Sequence, residues 1–213
     1  SQVFLCNRLS DLGFFLSLFF FFSFSNSIDF DVIFESKNIV QKNQLILFDT
    51  KFTIYEVILF LLFVSFLLRC RQFFIKNSSY SYLNINIPSL TLIYSAVFLP
   101  TGIFFILRFL PLTQKDSEFL NLIMLLGLIF LIIFTFLSFN SKNLKSLIIY
   151  VASSQFSLII FVIGHKVYNG AFFYLLTSTL SLTLISLSLG IIILKLRDEQ
   201  KINKMGALLI KTP

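Results

Sequence analysis

The sequence predicts an all-α integral membrane protein of about six transmembrane helices, on three observations. First, 57% of the 213 residues are hydrophobic and only 13% charged, with 30 Phe and a mean hydropathy of +0.91. Soluble domains run nearer roughly 45–50% and 25%, and a single core of this size could not hide so much apolar surface. Second, apolar runs recur at lengths near the ~20 residues a helix needs to cross hydrocarbon. Third, no run alternates with period two, so a barrel is excluded, and helices satisfy their own backbone within lipid. A soluble enzyme domain, a disordered tail and a nucleic-acid binder are set aside on the same grounds. The net charge of +7 comes from cations spaced between apolar runs, which form no basic patch in the sequence and read as loop charge on a membrane protein.

The elements follow in order along one transmembrane unit, residues 1–213. Span one covers 8–28. Residues 29–53 hold seven charged side chains between Asp29 and Lys51 and read as an extramembrane loop. Span two, 54–72, has an apolar stretch that stops at Arg69 and Arg71. After a polar stretch rich in Asn, Ser and Tyr, Pro88 opens span three, 88–108, closed by Arg108. Spans four (119–141), five (146–164) and six (167–194) are separated by Lys142 and Lys145 and then by His165 and Lys166. The chain start has no basic segment followed by a small-residue cleavage site, so it does not read as a signal peptide. Phe, Ile, Leu, Asn and Lys abound while Gly (seven) and Pro (four) are scarce, the bias of AT-rich coding found in many organelles.

Ionisable groups at membrane depth are costly and draw attention. Arg8 and Asp11 are three residues apart, so they share a helix face and can pair. They are either an interfacial pair at a helix start or the acidic member of a proton path with its tuning cation. Arg69 lies about 20 Å along a helix begun at Glu56. It sits deep in the membrane, or the helix breaks there, or it snorkels to a surface together with Arg71. Arg108 reads as an interfacial anchor and His165, beside Lys166, as a solvated loop residue. The hydroxyls of span six (Thr177, Ser178, Thr179, Ser181, Thr183, Ser186, Ser188) can serve packing, bonds between helices, or waters. Cys6 and Cys70 have no metal or disulfide spacing and read as packing residues. No P-loop, GxGxxG or Cys/His metal cluster occurs.

Three runs resemble, in order, one family. Asn7-Arg8-Leu9-Ser10-Asp11-Leu12-Gly13-Phe14 with Ile28-Asp29-Phe30 resembles the N-R-x-G-D-x-G…x-D-F stretch of chain 5 of mitochondrial NADH–ubiquinone oxidoreductase, an antiporter-like proton-pumping subunit of respiratory complex I. Lys142 to Gln155 is similar to its D-L-K-R-x-I-A-Y-S-T-x-S-Q, with Leu144, Lys145, Ile148, Tyr150, Ser154 and Gln155 in place. Asp198-Glu199-Gln200…Lys204-Met205-Gly206-Ala207-Leu208 is similar to D-E-Q-x-x-x-K-M-G-G-L. The last two runs alone would also fit chains 2 and 4 of the complex; the first run and the D-E-Q favour chain 5.

The resemblance implies an antiporter-like helix bundle with one helix broken near Arg69. It implies a place in the mitochondrial inner membrane and a share in proton translocation coupled to NADH:ubiquinone electron transfer. No catalytic redox site or cofactor is expected in this chain; NADH, flavin mononucleotide, the iron–sulfur centres and quinone belong elsewhere in the complex. The expected partners are other membrane-arm subunits, further fragments of the same split subunit and lipids, not nucleic acid. The family has helices before and after the stretch matched here, one with an intramembrane Glu and one with a terminal Lys, so the chain reads as a middle fragment. Arg8, Asp11 and Arg69 are the proton-path candidates. Counted back from Pro88, Arg69 falls on the family's central Lys, and arginine rarely releases its proton. The family's His falls on Tyr94, and its H-A-F-F-K becomes Ser178-Thr179-Leu180-Ser181-Leu182. A scaffold of the same complex that has lost its pumping residues is therefore an alternative. An unrelated multi-pass transporter or lipid-handling membrane enzyme is another, although no separate substrate site stands out.

Overall fold

A computed structural model describes residues 2–25, 29, 31–32, 44–47, 50–69, 99–113, 117–196, 199 and 201–205. Six α-helices account for most of them: α1 (Gln2–Ser25), α2 (Ile54–Arg69), α3 (Leu99–Thr113), α4 (Ser117–Phe139), α5 (Leu144–Gly164) and α6 (Tyr168–Lys195), followed by a 3₁₀ turn at Ile202–Lys204. The all-α membrane architecture expected from composition is what the chain adopts. Among the described residues, Phe119–Phe139, Leu144–Gly164 and Tyr168–Lys195 are long and apolar enough to cross a membrane, and Glu56–Leu68 and Pro100–Phe109 are shorter apolar helices.

Two local features differ from the sequence reading. Residues 29–53 contain an antiparallel hairpin, β1 (Gln44–Leu47) with β2 (Thr50–Thr53), in the register Gln44↔Thr53 to Leu47↔Thr50. Its Leu-Ile-Leu and Thr-rich runs flank a two-residue connection, so β-propensity prevails over the surrounding charge. Helix α3 also continues past Arg108 to Thr113, because Phe109 is buried against Phe21 and Phe66 and holds that turn in the core.

Helix α5 is the axis of the bundle. Its buried positions, Lys145, Ile149, Ala152, Ser153, Phe156, Ile160, Ile163 and Gly164, recur at three- and four-residue spacing and face the other helices. Helix α4 lies along it in close contact, α6 returns antiparallel to it, and α3 also packs on it. Helices α2 and α1 add a second layer through stacked phenylalanines. Phe66 stacks on Phe105 at 5.4 Å between centroids, and Phe14 meets both, at 6.1 and 5.9 Å. Phe21 stacks on Phe109 at 6.5 Å. Part of the Phe excess is thus spent on ring packing between helices, while others such as Phe136, Phe139 and Phe173 face outward.

The α5–α6 connection is tight. His165 donates its backbone N–H to Phe161 O and Val162 O, and Lys166 follows with φ 64°. That left-handed conformation closes helices at a glycine as a rule, and a side chain there costs about 1–2 kcal/mol. Lys166→Asn is expected to leave stability unchanged or raise it slightly, because Asn tolerates this region. Lys166→Val should lose about 1 kcal/mol or more through its branched Cβ. Unfolding titrations of the two variants in mild detergent check the order; equal stability would mean the turn does not hold this geometry.

Candidate functional site in the membrane

The site begins on α1. Ser10, Ser17 and Phe21 are buried on one stripe facing α2, and Gly13 between them lets the helices approach: a Cβ there would stand 3.2 Å from Ser65 Cβ. The buried hydroxyls leave no orphan donor, since Ser10 Oγ donates to Asn7 O, Ser17 to Phe14 O and Ser65 to Leu62 O, all at 2.6–2.7 Å. The first sequence candidates stand beside this seam. Arg8 Nη1 lies 3.7 Å from Asp11 Oδ2, one turn apart, with the arginine side chain 63% exposed and the aspartate 28%. The carboxylate sits at the edge of the packed seam and the guanidinium outside it.

The ring contacts fix the helix directions. Phe14 meets Phe105 and Phe21 meets Phe109, so α1 and α3 run the same way. Phe66 meets Phe105 while Phe63 meets Phe119 at the start of α4, so α2 runs against them. With Gly13 opposite Ser65, the backbone of Arg69, one turn beyond Ser65, is level with the turn of α1 before Gly13. That turn carries the Arg8–Asp11 pair. The fold therefore places all three sequence candidates at one height on neighbouring helices. Helix α2 ends at Arg69; the expected break, Cys70, Arg71, Gln72 and Tyr94 lie outside the described residues.

A second polar set lies on α5 and was not singled out from sequence. Lys145 is 4% exposed, and Ser153 and Ser157 are fully buried. Gln155 Oε1, lower on the same helix, is buried without a hydrogen-bond partner among the described residues. Lys145 had read as a loop charge; its place inside the second motif was the signal that it belongs to the helix.

The hydroxyls of α6 prove to be internal to their helix. Thr177, Ser178, Thr179, Ser181, Thr183, Ser186 and Ser188 each donate to a carbonyl three or four residues earlier, Ser178 to Leu175 O at 3.0 Å and Ser186 to Thr183 O at 2.7 Å among them. His165 is exposed in the turn, its ring edge-on to Phe161 at 4.7 Å, and Arg108 is exposed on α3. A cavity of about 20 Å³ between α2, α3, α4 and α5 is lined by Leu59, Phe63, Phe66, Phe109, Phe119, Ile163 and similar side chains. Lined by apolar side chains, it offers a water few partners.

The second and third motifs fold together. Asn143 forms an antiparallel bridge with Lys201, and Ile202 N–H donates to Lys142 O at 3.1 Å. Met205 then packs on Leu144, Ile148 and Ile193. The strap of residues 201–205 is thereby pinned across the start of α5. It also gathers cations that the sequence keeps far apart: Lys142, Lys195, Lys201 and Lys204 all reach the surface at this end.

The helix bundle and its pinned strap define a segment of a multi-helix membrane protein. The chain belongs to the family described as NADH:quinone oxidoreductase/Mrp antiporter, transmembrane, whose model matches residues 1–213. It is 27% identical over 212 residues to the NADH-quinone oxidoreductase subunit L of Rhodobacter capsulatus, covering 100% of this chain and 30% of that protein. Similarity to NADH-ubiquinone oxidoreductase chain 5 of Dictyostelium citrinum is 28% over 216 residues, 97% of this chain and 31% of the other. To the chloroplastic NAD(P)H-quinone oxidoreductase subunit 5 of Lemna minor it is 29% over 192 residues, 90% and 25%. The chain thus spans about a third or less of the length of these relatives.

Proposed function

We propose that this chain is a segment of the membrane arm of respiratory complex I in the mitochondrial inner membrane, contributing to proton translocation coupled to NADH:ubiquinone electron transfer. The observation that supports it most is the common height of the Arg8–Asp11 pair and the Arg69 backbone, in a chain whose relatives bear the names NADH-quinone oxidoreductase subunit L and chain 5. In this reading Asp11 holds or passes a proton, Arg8 is its ion-pair partner, and Arg69 supplies a fixed positive charge. Redox cofactors and quinone bind elsewhere in the complex. The partners are other membrane-arm subunits, the remaining fragments of the same subunit, and lipids.

The test is made on the assembled enzyme. The chain should co-migrate with NADH dehydrogenase activity on a native gel. Arg69→Ala and Asp11→Asn should each lower the protons moved per NADH oxidised, while Arg69→Lys keeps most of the function. Chain found only in free membrane, or a proton ratio unchanged by both variants, would sink the reading. One observation favours a second reading, a scaffold that no longer pumps. Where the resemblance places a His and a Lys, α6 carries Ser178, whose hydroxyl is turned onto its own helix, and Leu182, which has no polar group at all. A normal proton ratio with every other channel accounted for would rule the scaffold out.

A further inference from the structure

We propose that the end of the bundle where α5 begins and α6 ends is a binding site for the headgroup of an anionic phospholipid. Four lysines stand at that end by different routes. Lys142 precedes α5 and Lys195 is the last residue of α6, while Lys201 and Lys204 are brought in by the strap. All four are exposed. The carboxylate at hand is Glu199, 3.8 Å from Lys204. Among the described residues the corner carries four lysines to one carboxylate.

The height of the corner selects a lipid as its occupant. Helix α5 is about 31 Å long at 1.5 Å per residue, close to the hydrocarbon thickness of roughly 30 Å. Lys142 and Lys195 therefore stand where the helices leave the acyl region. Just inside that level large apolar side chains face outward: Phe139 is 88% exposed and Leu194 72%, with Ile191 one turn below. Amines above exposed apolar side chains match a molecule with an anionic head and acyl tails. A soluble anion would use only the amines, and nucleic acid would find no reason for the apolar rim. At the other end of the same helices the α5–α6 turn carries His165 and Lys166 among the described residues.

The experiment uses the full chain in phosphatidylcholine vesicles, with spin-labelled phosphatidylglycerol and spin-labelled phosphatidylcholine as probes of the lipid held at the protein surface. The phosphatidylglycerol label should be preferred, and the preference should weaken in 1 M salt, where the Debye length falls to about 3 Å. K142Q/K195Q/K201Q/K204Q should lower the preference by on the order of fivefold or more, given the worth of a lysine at an anionic surface. The double variants K142Q/K201Q and K195Q/K204Q should each show part of the loss, while Lys166→Gln at the opposite end leaves it unchanged. Equal retention of the two labels by the unaltered chain would overturn the site, as would a preference untouched by the lysine changes. Displacement of the label by millimolar inorganic phosphate would assign the corner to a free anion instead and overturn the lipid.

Discussion

Gly164→Val is expected to force α4 away from α5 and to cost the bundle about 3 kcal/mol or more, the upper end of what overpacking does in a tight core. Between helices in lipid the apolar effect gives no driving force, so association depends on close van der Waals contact, which small residues permit. This crossing is built on a reciprocal pair of glycines. A Cβ on Gly164 would stand 2.6 Å from Met124 Cβ and 2.7 Å from Met124 Cα. A Cβ on Gly127, one turn along α4, would stand 2.6 Å from Phe161 N and 2.9 Å from Phe161 Cα. The obstructing atoms are mostly backbone, so no rotamer change relieves them and the whole helix must shift. Even Gly164→Ala and Gly127→Ala should each lose about 1–3 kcal/mol. The double variant should lose less than the two together, because one displacement of α4 relieves both clashes.

Gly170→Ala is the control. Its Cβ meets only the Val167 Cγ1 methyl, at 3.0 Å, and a helix gains up to about 1 kcal/mol when glycine gives way to alanine. Unfolding in mild detergent should therefore rank Gly170→Ala at or above the parent and both crossing variants well below it. Parity between Gly127→Ala and the parent would show that the two helices do not touch there.

That crossing explains what could and could not be seen in the sequence. Helices α4, α5 and α6 begin and end within two residues of the apolar runs that foretold them, because lipid leaves a long uncharged run no other structure. The Arg8–Asp11 pair was legible for a similar reason, being local to one helix turn. Features that depend on two distant segments were not legible. Gly127 and Gly164 matter only through the register of α4 against α5. Arg69 is level with Arg8 and Asp11 only because Gly13 seats on Ser65, which no spacing in the chain encodes. The basic corner was missed because Lys142 and Lys201 become neighbours only through long-range backbone pairing, Asn143 with Lys201 and Ile202 N–H with Lys142 O. The hairpin at Gln44–Thr53 was hidden by the mixed charge around it.

Lys145 follows from the same bridge, and its replacement should have the second large effect. Its amine would be a loop charge if α5 began where the apolar run does. Instead α5 starts at Leu144. Leu144 and Ile148 on the same helix pack with Ile193 of α6 and Met205 of the strap, and Lys145 between them is 4% exposed. The buried charge is not left without an interaction, so two contributions can be separated by two variants. Lys145→Met keeps a stem of similar length and removes the ammonium. It should cost about 1–3 kcal/mol, the loss expected when a buried polar partner is left unsatisfied. Lys145→Ala also deletes the packed stem and should cost roughly 2 kcal/mol more through the cavity it leaves. The local readout is the strap. With Lys145 gone, the start of α5 loosens and the Ile202 N–H, held by Lys142 O, should exchange with solvent faster in both variants, and faster in the alanine. Equal costs for Met and Ala would mean that the stem is not packed. Neither variant changing stability or exchange would mean that the amine lies in water, and the pinned corner would have to be redrawn.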